Sequence, residues 1–223
     1  MYSKELGINF FGNESNKKTK LKKIDILKNN INNFKIFLVI AGTNTSQIPG
    51  ISAAGLNAKS RRITALADAE FLLMGASKDH KYKLPPLNAG VTPALISHVC
   101  SKLLNVYPVI VPLGIEVKPH FNHLIVEDRD LGPSNCLSTG KSMPRDRVVN
   151  LYKRGLEIGK SSKQPILISE SVPGGTTTAQ AVMEAFGLRV SNLVGSSLFK
   201  APRDLRRKVV QKGLLNANLK NDF

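Results

Sequence analysis

Tryptophan does not occur in the chain, cysteine occurs twice, and acidic residues are outnumbered by basic ones, 16 against 32. Cys100 and Cys136 stand far apart with no CxxC spacing. The sequence therefore reads against a disulfide framework or a structural zinc site, and both cysteines read as plain thiols. No run reaches the roughly 18 apolar residues that a membrane helix needs. The longest runs, around Ile36–Ala41 and Val106–Val117, are short or broken by proline. The opening MYSKELGINFFGNESNKK lacks the basic-then-apolar layout of a secretory signal, so residence in the cytoplasm is the expectation.

What the chain does have is positive charge, a formal +16 over 223 residues. Such a field attracts anions: nucleic acid, phosphorylated metabolites or an acidic partner. Much of it is local, in NKKTKLKKIDILKNNINNFK near the start and KAPRDLRRKVVQKG near the end. The first cluster reads as a solvated helix face. Nucleic-acid binding would call for aromatic residues among the basic ones, and neither cluster offers a stacking platform. Nucleic acid is thus disfavoured as a partner.

Apolar runs alternate with helical patterns along the chain. Lys35–Ala41, Glu70–Met74, Val106–Val111 and Ile166–Ser169 read as buried strands, being continuous runs rather than alternating ones. Pro108 argues against a central place for the third. Thr92 and Pro93 suit the cap and first position of a helix. In RDRVVNLYKRGLEIG, Val148, Leu151, Tyr152 and Leu156 fall on one helical face, with Gly159 as a stop signal. Ala179, Val182, Met183 and Phe186 form the same pattern before Gly187. The series predicts an α/β fold with a largely parallel, Rossmann-like sheet flanked by helices. The sheet reads as incomplete at the C-terminus, where LLNANLKNDF follows a basic helix and no further strand is apparent.

The most chemically suggestive stretch is ILISESVPGGTTTAQAVMEAFGL, Ile166 to Leu188. A strand ends in an acid, passes two glycines and enters a helix through three threonines. Ligands of open α/β sheets bind outside the carboxyl ends of the strands. A helix starting there offers free N–H groups and the positive end of its dipole. Gly174 and Gly175 permit close backbone approach, and Thr176, Thr177 and Thr178 can cap or donate. The loop reads as an anion cradle. It is neither a Walker A loop, having no lysine, nor a dinucleotide fingerprint, having the wrong spacing. Glu170, just before it, is a candidate general base.

This stretch resembles the nicotinate-nucleotide:dimethylbenzimidazole phosphoribosyltransferase family, which carries Gly-Glu-Met-Gly-Ile-Gly-Asn-Thr-Thr where this chain has Ser169 to Thr177. The acid, the later glycine and both threonines match, while Val172 replaces a glycine. NLVGSSLFKAPRDLRRKVVQKGL continues the similarity, with Gly195 at the first glycine of the family's Val-Gly-x-Gly stretch. Arg206 stands where the family has a phosphate-contacting lysine, three positions before Val209 and Val210. IPGISAAG, ADAEFLLMG, PPLNAGVTPALI and STGKSM look like the divergent, nicotinate mononucleotide-dependent phosphoribosyltransferase-like branch. The resemblance covers most of Phe34 to Leu215 and implies two regions. Residues 1–33 form a basic helical extension, and residues 34–223 form an α/β domain, C-terminally shortened relative to the family.

The implied reaction moves phosphoribose from nicotinate mononucleotide to an aromatic base, as in synthesis of the lower-ligand nucleotide of cobalamin. The resemblance implies substrate contacts at Gly174, Gly175, Thr176, Thr177, Thr178, Gly195 and Arg206. Glu170 is implied as a secondary base, because the family's main catalytic glutamate lies in a glycine-rich C-terminal segment that this sequence lacks. Neither metal nor cofactor is demanded. A homo-oligomer or a separate C-terminal partner is the protein partner to expect, and a non-catalytic nucleotide-binding module or half of a split enzyme is the alternative. His120 and His123 have a possible metal spacing without a third ligand. Asp128 and Asp130 read as a solvated loop. Gly42–Gly55, a long small-residue loop after the first strand, is placed to line a pocket.

Overall fold

The computed structural model describes residues 17–30, 33–55, 57–84, 92–196, 198 and 200–219. The remainder of the N-terminal extension and the whole PPLNAGV stretch lie outside these residues. The described elements are α1 (Lys17–Asn30), β1 (Lys35–Ala41), α2 (Ala58–Met74), α3 (Pro93–Leu104), β2 (Val109–Leu113), α4 (Arg145–Ser161), β3 (Ile166–Ser171), α5 (Gly175–Ala185) and α6 (Arg203–Ala217). The three strands form an entirely parallel sheet in the order β2-β1-β3. Phe37 of the central strand lies opposite Val109 on one side and Ile168 on the other. The architecture is α/β and Rossmann-like, as the alternation of elements predicts.

Glu70–Met74 is not a strand but the last turns of α2. Four apolar residues after an acid carry too little periodicity to separate the two states, and the preceding residues decide it. Asn57 and Ser60 close a reciprocal capping box, with Ser60 N donating to Asn57 Oδ1 at 2.9 Å and Asn57 N to Ser60 Oγ at 3.0 Å. The alanine- and leucine-rich run then continues as helix because those residues lose little freedom there. The third strand begins at Val109, one residue after Pro108, and contains Pro112. It tolerates that proline because it is an edge strand of the described sheet.

Thr92 does cap α3, its hydroxyl accepting from Ala94 N at 3.2 Å, with Pro93 in the first turn. Gly159 does not stop α4, which runs to Ser161 before Ser162 N closes onto the Gly159 carbonyl.

The core gathers between β1, β2 and α2. Ile40, Leu66, Ala69 and Ile110 are wholly buried there, joined by Leu38, Leu72, Tyr82 and Ile115. Helix α2 packs on both β1 and α3. Gly42 marks where β1 leaves the sheet: a Cβ at this position would strike the Gly114 carbonyl oxygen beyond β2. Elsewhere, packing is different. The expected apolar face of α4 is largely exposed, and none of its apolar residues is buried. The face of α5 carrying Val182 and Phe186 is exposed too, whereas Thr177, Gln180 and Ala181 are buried toward α6. The predicted stripes exist as helical faces, but the described residues do not cover them.

Candidate functional site

The loops at the carboxyl ends of the strands converge on one region. After β1, Thr43 starts a short 3-10 turn, Asn44–Gln47, by accepting from Thr45 N through its hydroxyl at 3.2 Å. Arg61 of α2 is buried and holds this loop from beneath. Its Nη2 donates to the Gln47 carbonyl at 3.1 Å and its Nη1 to the Gly55 carbonyl at 3.4 Å, while Nε donates to the Ser46 carbonyl. The chain after β2 returns over the same end: Asn44 N donates to the Ser134 carbonyl at 2.8 Å, and Leu137 N to Thr45 Oγ1 at 2.9 Å. In a parallel sheet with this order, the crevice outside β1 and β3 is the topological switch point where ligands bind.

Two clefts open there, and Glu170 lines both. The smaller, about 150 Å³, is lined by Thr64, Asp68, Ser171, Gly174, Gly175, Thr176 and Ser196 among others. The larger, about 420 Å³, has mainly apolar walls: Leu113, Leu137, Met143, Leu151, Val172 and Ala179, with Thr178, Gly175 and Arg147. Glu170 is exposed and has no ion-pair partner among the described residues. The Gly42–Gly55 loop lines pockets as expected, through Thr43 and Thr45 on the apolar cleft and Ile51, Ser52 and Ala54 on the polar one.

The glycine loop has the geometry of an open helix start. Gly174 takes the left-handed conformation with φ 79°, which glycine adopts without strain, and no side chain caps α5. A Cβ on Gly175 would lie 3.1 Å from Val172 Cβ and 3.5 Å from Glu170 Oε2, so the backbone stays open only without one. The three threonines separate: Thr176 faces the polar cleft, Thr178 the apolar one, and Thr177 is wholly buried with its hydroxyl unpartnered.

Arg206 is buried as well. Its Nη1 donates to the Gly195 carbonyl at 2.6 Å and its Nη2 to the Val194 carbonyl at 2.7 Å. Burial first, and the nearby Arg203 second, lower its pKa. Its terminal nitrogens thus hold the 194–195 turn, whose next residue, Ser196, reaches the polar cleft. Gly195 enters the site only through that turn.

Two residues not singled out from sequence belong to this region. Asp68 lines the polar cleft, receiving hydrogen bonds from Thr92 Oγ1 and Ser171 Oγ at 3.2 Å each. Its pKa is raised because burial disfavours the charged form more than the two hydroxyls favour it. An acid within ADAEFLLMG was the available signal. Arg147 lines the apolar cleft, with Nε and Nη2 donating to Glu127 at 2.8 and 2.7 Å. Glu127 also accepts from Gly114 N at 2.7 Å, tying α4 to the end of β2.

The other sequence candidates lie elsewhere. His120 Nε2 sits 3.0 Å from the wholly buried Glu70, and His123 Nδ1 donates to the Phe121 carbonyl at 2.8 Å. No cluster of three or more ligands that could hold a metal is present among the described residues. Asp128 caps a 3-10 turn by accepting from Asp130 N at 3.0 Å. Both aspartates line a cavity of about 680 Å³ beyond edge strand β2, whose charges are of both signs. Although larger, that cavity contains none of the glycine-loop residues, so the clefts sharing Glu170 are the better candidate site. Cys100 and Cys136 are both free thiols. No helix among the described residues is long and apolar enough to cross a membrane.

No family model matches the chain. Similarity to curated proteins is nonetheless extensive. A UPF0284 protein of Prochlorococcus marinus (strain MIT 9215) is 86% identical over 223 residues, the whole of this chain and 58% of that protein. A UPF0284 protein of Parasynechococcus marenigrum (strain WH8102) is 47% identical over 186 residues, 83% of this chain and 47% of its own length. One from Gloeothece citriformis (strain PCC 7424) is 38% identical over 194 residues, covering 84% of this chain and 52% of that protein. From end to end the chain is thus similar to UPF0284 proteins, and it spans 58% of the length of those most like it among these.

Proposed function

We propose that the chain carries the nucleotide-recognising part of a nicotinate mononucleotide-dependent phosphoribosyltransferase. The observation behind this reading is the position of Glu170, on the wall between a polar cleft bordered by the glycine loop and an apolar cleft able to hold a flat ring. The uncapped start of α5, with Gly174, Gly175 and Thr176, receives the 5′-phosphate through backbone N–H groups and the helix dipole. Arg206 adds positive charge from behind while holding the 194–195 turn. Thr178 and the apolar wall orient the acceptor base. In the transfer, a base nitrogen attacks the anomeric carbon, the carbon–nitrogen bond to nicotinate breaks, and nicotinate departs with the bonding electrons. Glu170 takes the N–H proton of the acceptor as a secondary base.

A calorimetric titration with nicotinate mononucleotide, with free nicotinate as control, tests the reading. Saturable binding of the nucleotide and at least ten-fold weaker binding of nicotinate are expected. Gly175→Asp should abolish nucleotide binding, since it adds a carboxylate beside Glu170 in the cleft; unchanged binding would show the loop assignment to be wrong. A non-catalytic nucleotide-binding module is the alternative; turnover by this chain alone would eliminate it.

A further inference from the structure

We infer that the edge of β3, unpaired among the described residues, seats the further polypeptide that the relatives carry outside the stretch this chain matches. The inference is independent of the phosphoribosyl reading. It starts from a property of parallel sheets, which occur almost only with both faces covered. In β3 successive side chains point to opposite faces. Yet Leu167 is 47% exposed and its neighbour Ile168 is 73% exposed, so the strand lacks cover on both.

The helices before and after β3 in the chain also expose apolar residues: Tyr152 of α4 is 71% exposed and Val182 of α5 is 51% exposed. Scattered surface apolar residues need no explanation, but adjacent large apolar residues exposed on both faces of a parallel strand do. Edge strands that stay solvent-facing are usually blunted by lysine, proline or a bulge. The sequence of β3, ILISES, has neither residue, carries one charge, Glu170, near its end, and pairs with β1 without interruption.

The comparisons supply the occupant. The Prochlorococcus MIT 9215 relative matches the whole chain at 86% identity and has about two-fifths of its length outside the match. That remainder adds a strand along β3 and covers the apolar side chains exposed on it.

The test co-expresses the 223-residue chain with the remainder of that relative as a separate polypeptide. A one-to-one complex is expected, with amide exchange across Ile166–Ser171 slowed at least ten-fold relative to the chain alone. Ile168→Lys should weaken the association at least ten-fold. Leu103→Lys, on α3 and equally exposed at 80%, should change it less than two-fold. Circular dichroism would verify that both variants fold. Failure of the remainder to co-purify with a folded chain would overturn the inference, as would protection confined to another surface or indifference to Ile168→Lys. So would a homodimer of the chain that already protects β3 and is not displaced, because the occupant would then be a second copy.

Discussion

The two sides of β1 obey the same sequence rules and end in opposite states. Toward β2, apolar residues of strands and helix meet: Ile40, Leu66 and Ile110 are wholly buried. Toward β3, the strand carries apolar residues too, yet Leu167 and Ile168 stand in solvent. An amphipathic pattern encodes a demand for cover, not the cover itself. Where α2 and the 3-10 turns answer that demand, the loops above are held firmly enough to shape clefts. Where nothing among the described residues answers it, the surface is prepared for another polypeptide.

Three experiments would break or sharpen this contrast. The largest effect belongs to Glu127, whose carboxylate pairs with Arg147 and with Gly114 N at the packed end of β2. Both side chains of the pair are more than nine-tenths buried. Glu127→Ala leaves the guanidinium uncompensated in the wall of the apolar cleft, and a loss of about 3–5 kcal/mol is expected in urea unfolding. A loss below about 1 kcal/mol would mean that the packed side is softer than its geometry implies.

Next comes a matched pair. Leu66→Ala should cost about 3 kcal/mol through transfer and cavity effects. Ile168→Ala should stay within about 0.5 kcal/mol, as surface substitutions do. Equal costs measured on the isolated chain would erase the distinction between the two sides.

The smallest effect concerns Asp68, where the sides meet through its hydrogen bond from Ser171 at 3.2 Å. Because burial raises its pKa, the folded state holds this proton more tightly than the unfolded chain does. Folded stability therefore falls as pH rises from the unfolded value of about 3.9 through the raised one, then levels. Asp68→Asn lacks that slope. Unfolding midpoints taken from acid to neutral pH should show the difference between the two proteins moving against the wild type as pH rises. A constant difference would mean that the carboxyl is not desolvated.

How much of this was legible beforehand follows from where information is local. Strand β1 and the capped start of α3 were readable because continuous apolar runs and a Thr-Pro pair act within a few residues. The end of α2 was not, since EFLLM alone suits either state and the deciding capping box lies more than ten residues earlier. The glycine loop was legible as backbone chemistry. The fates of its threonines were not, because sequence spacing fixes their faces but not which neighbour each face meets. Arg206 makes the same point: its position beside Val209 suggested charge for a ligand, whereas the fold turns its terminal nitrogens onto two carbonyls. Asp68 and Arg147 were overlooked because their significance depends on Ser171 and Glu127, partners distant in the chain.

The order β2-β1-β3 also has a consequence in time. The central strand is made first, and both of its partners arrive later; the hydrogen bond from Ser169 Oγ to the Phe37 carbonyl spans 132 positions. At a synthesis rate of about 10 residues per second, β1 waits on the order of 13 seconds for β3 to emerge from the ribosome. Until β2 emerges, about halfway through that interval, KIFLVIA is a nascent apolar segment with no strand to pair with, and afterwards one of its edges still waits, which makes it a segment with much to gain from a chaperone.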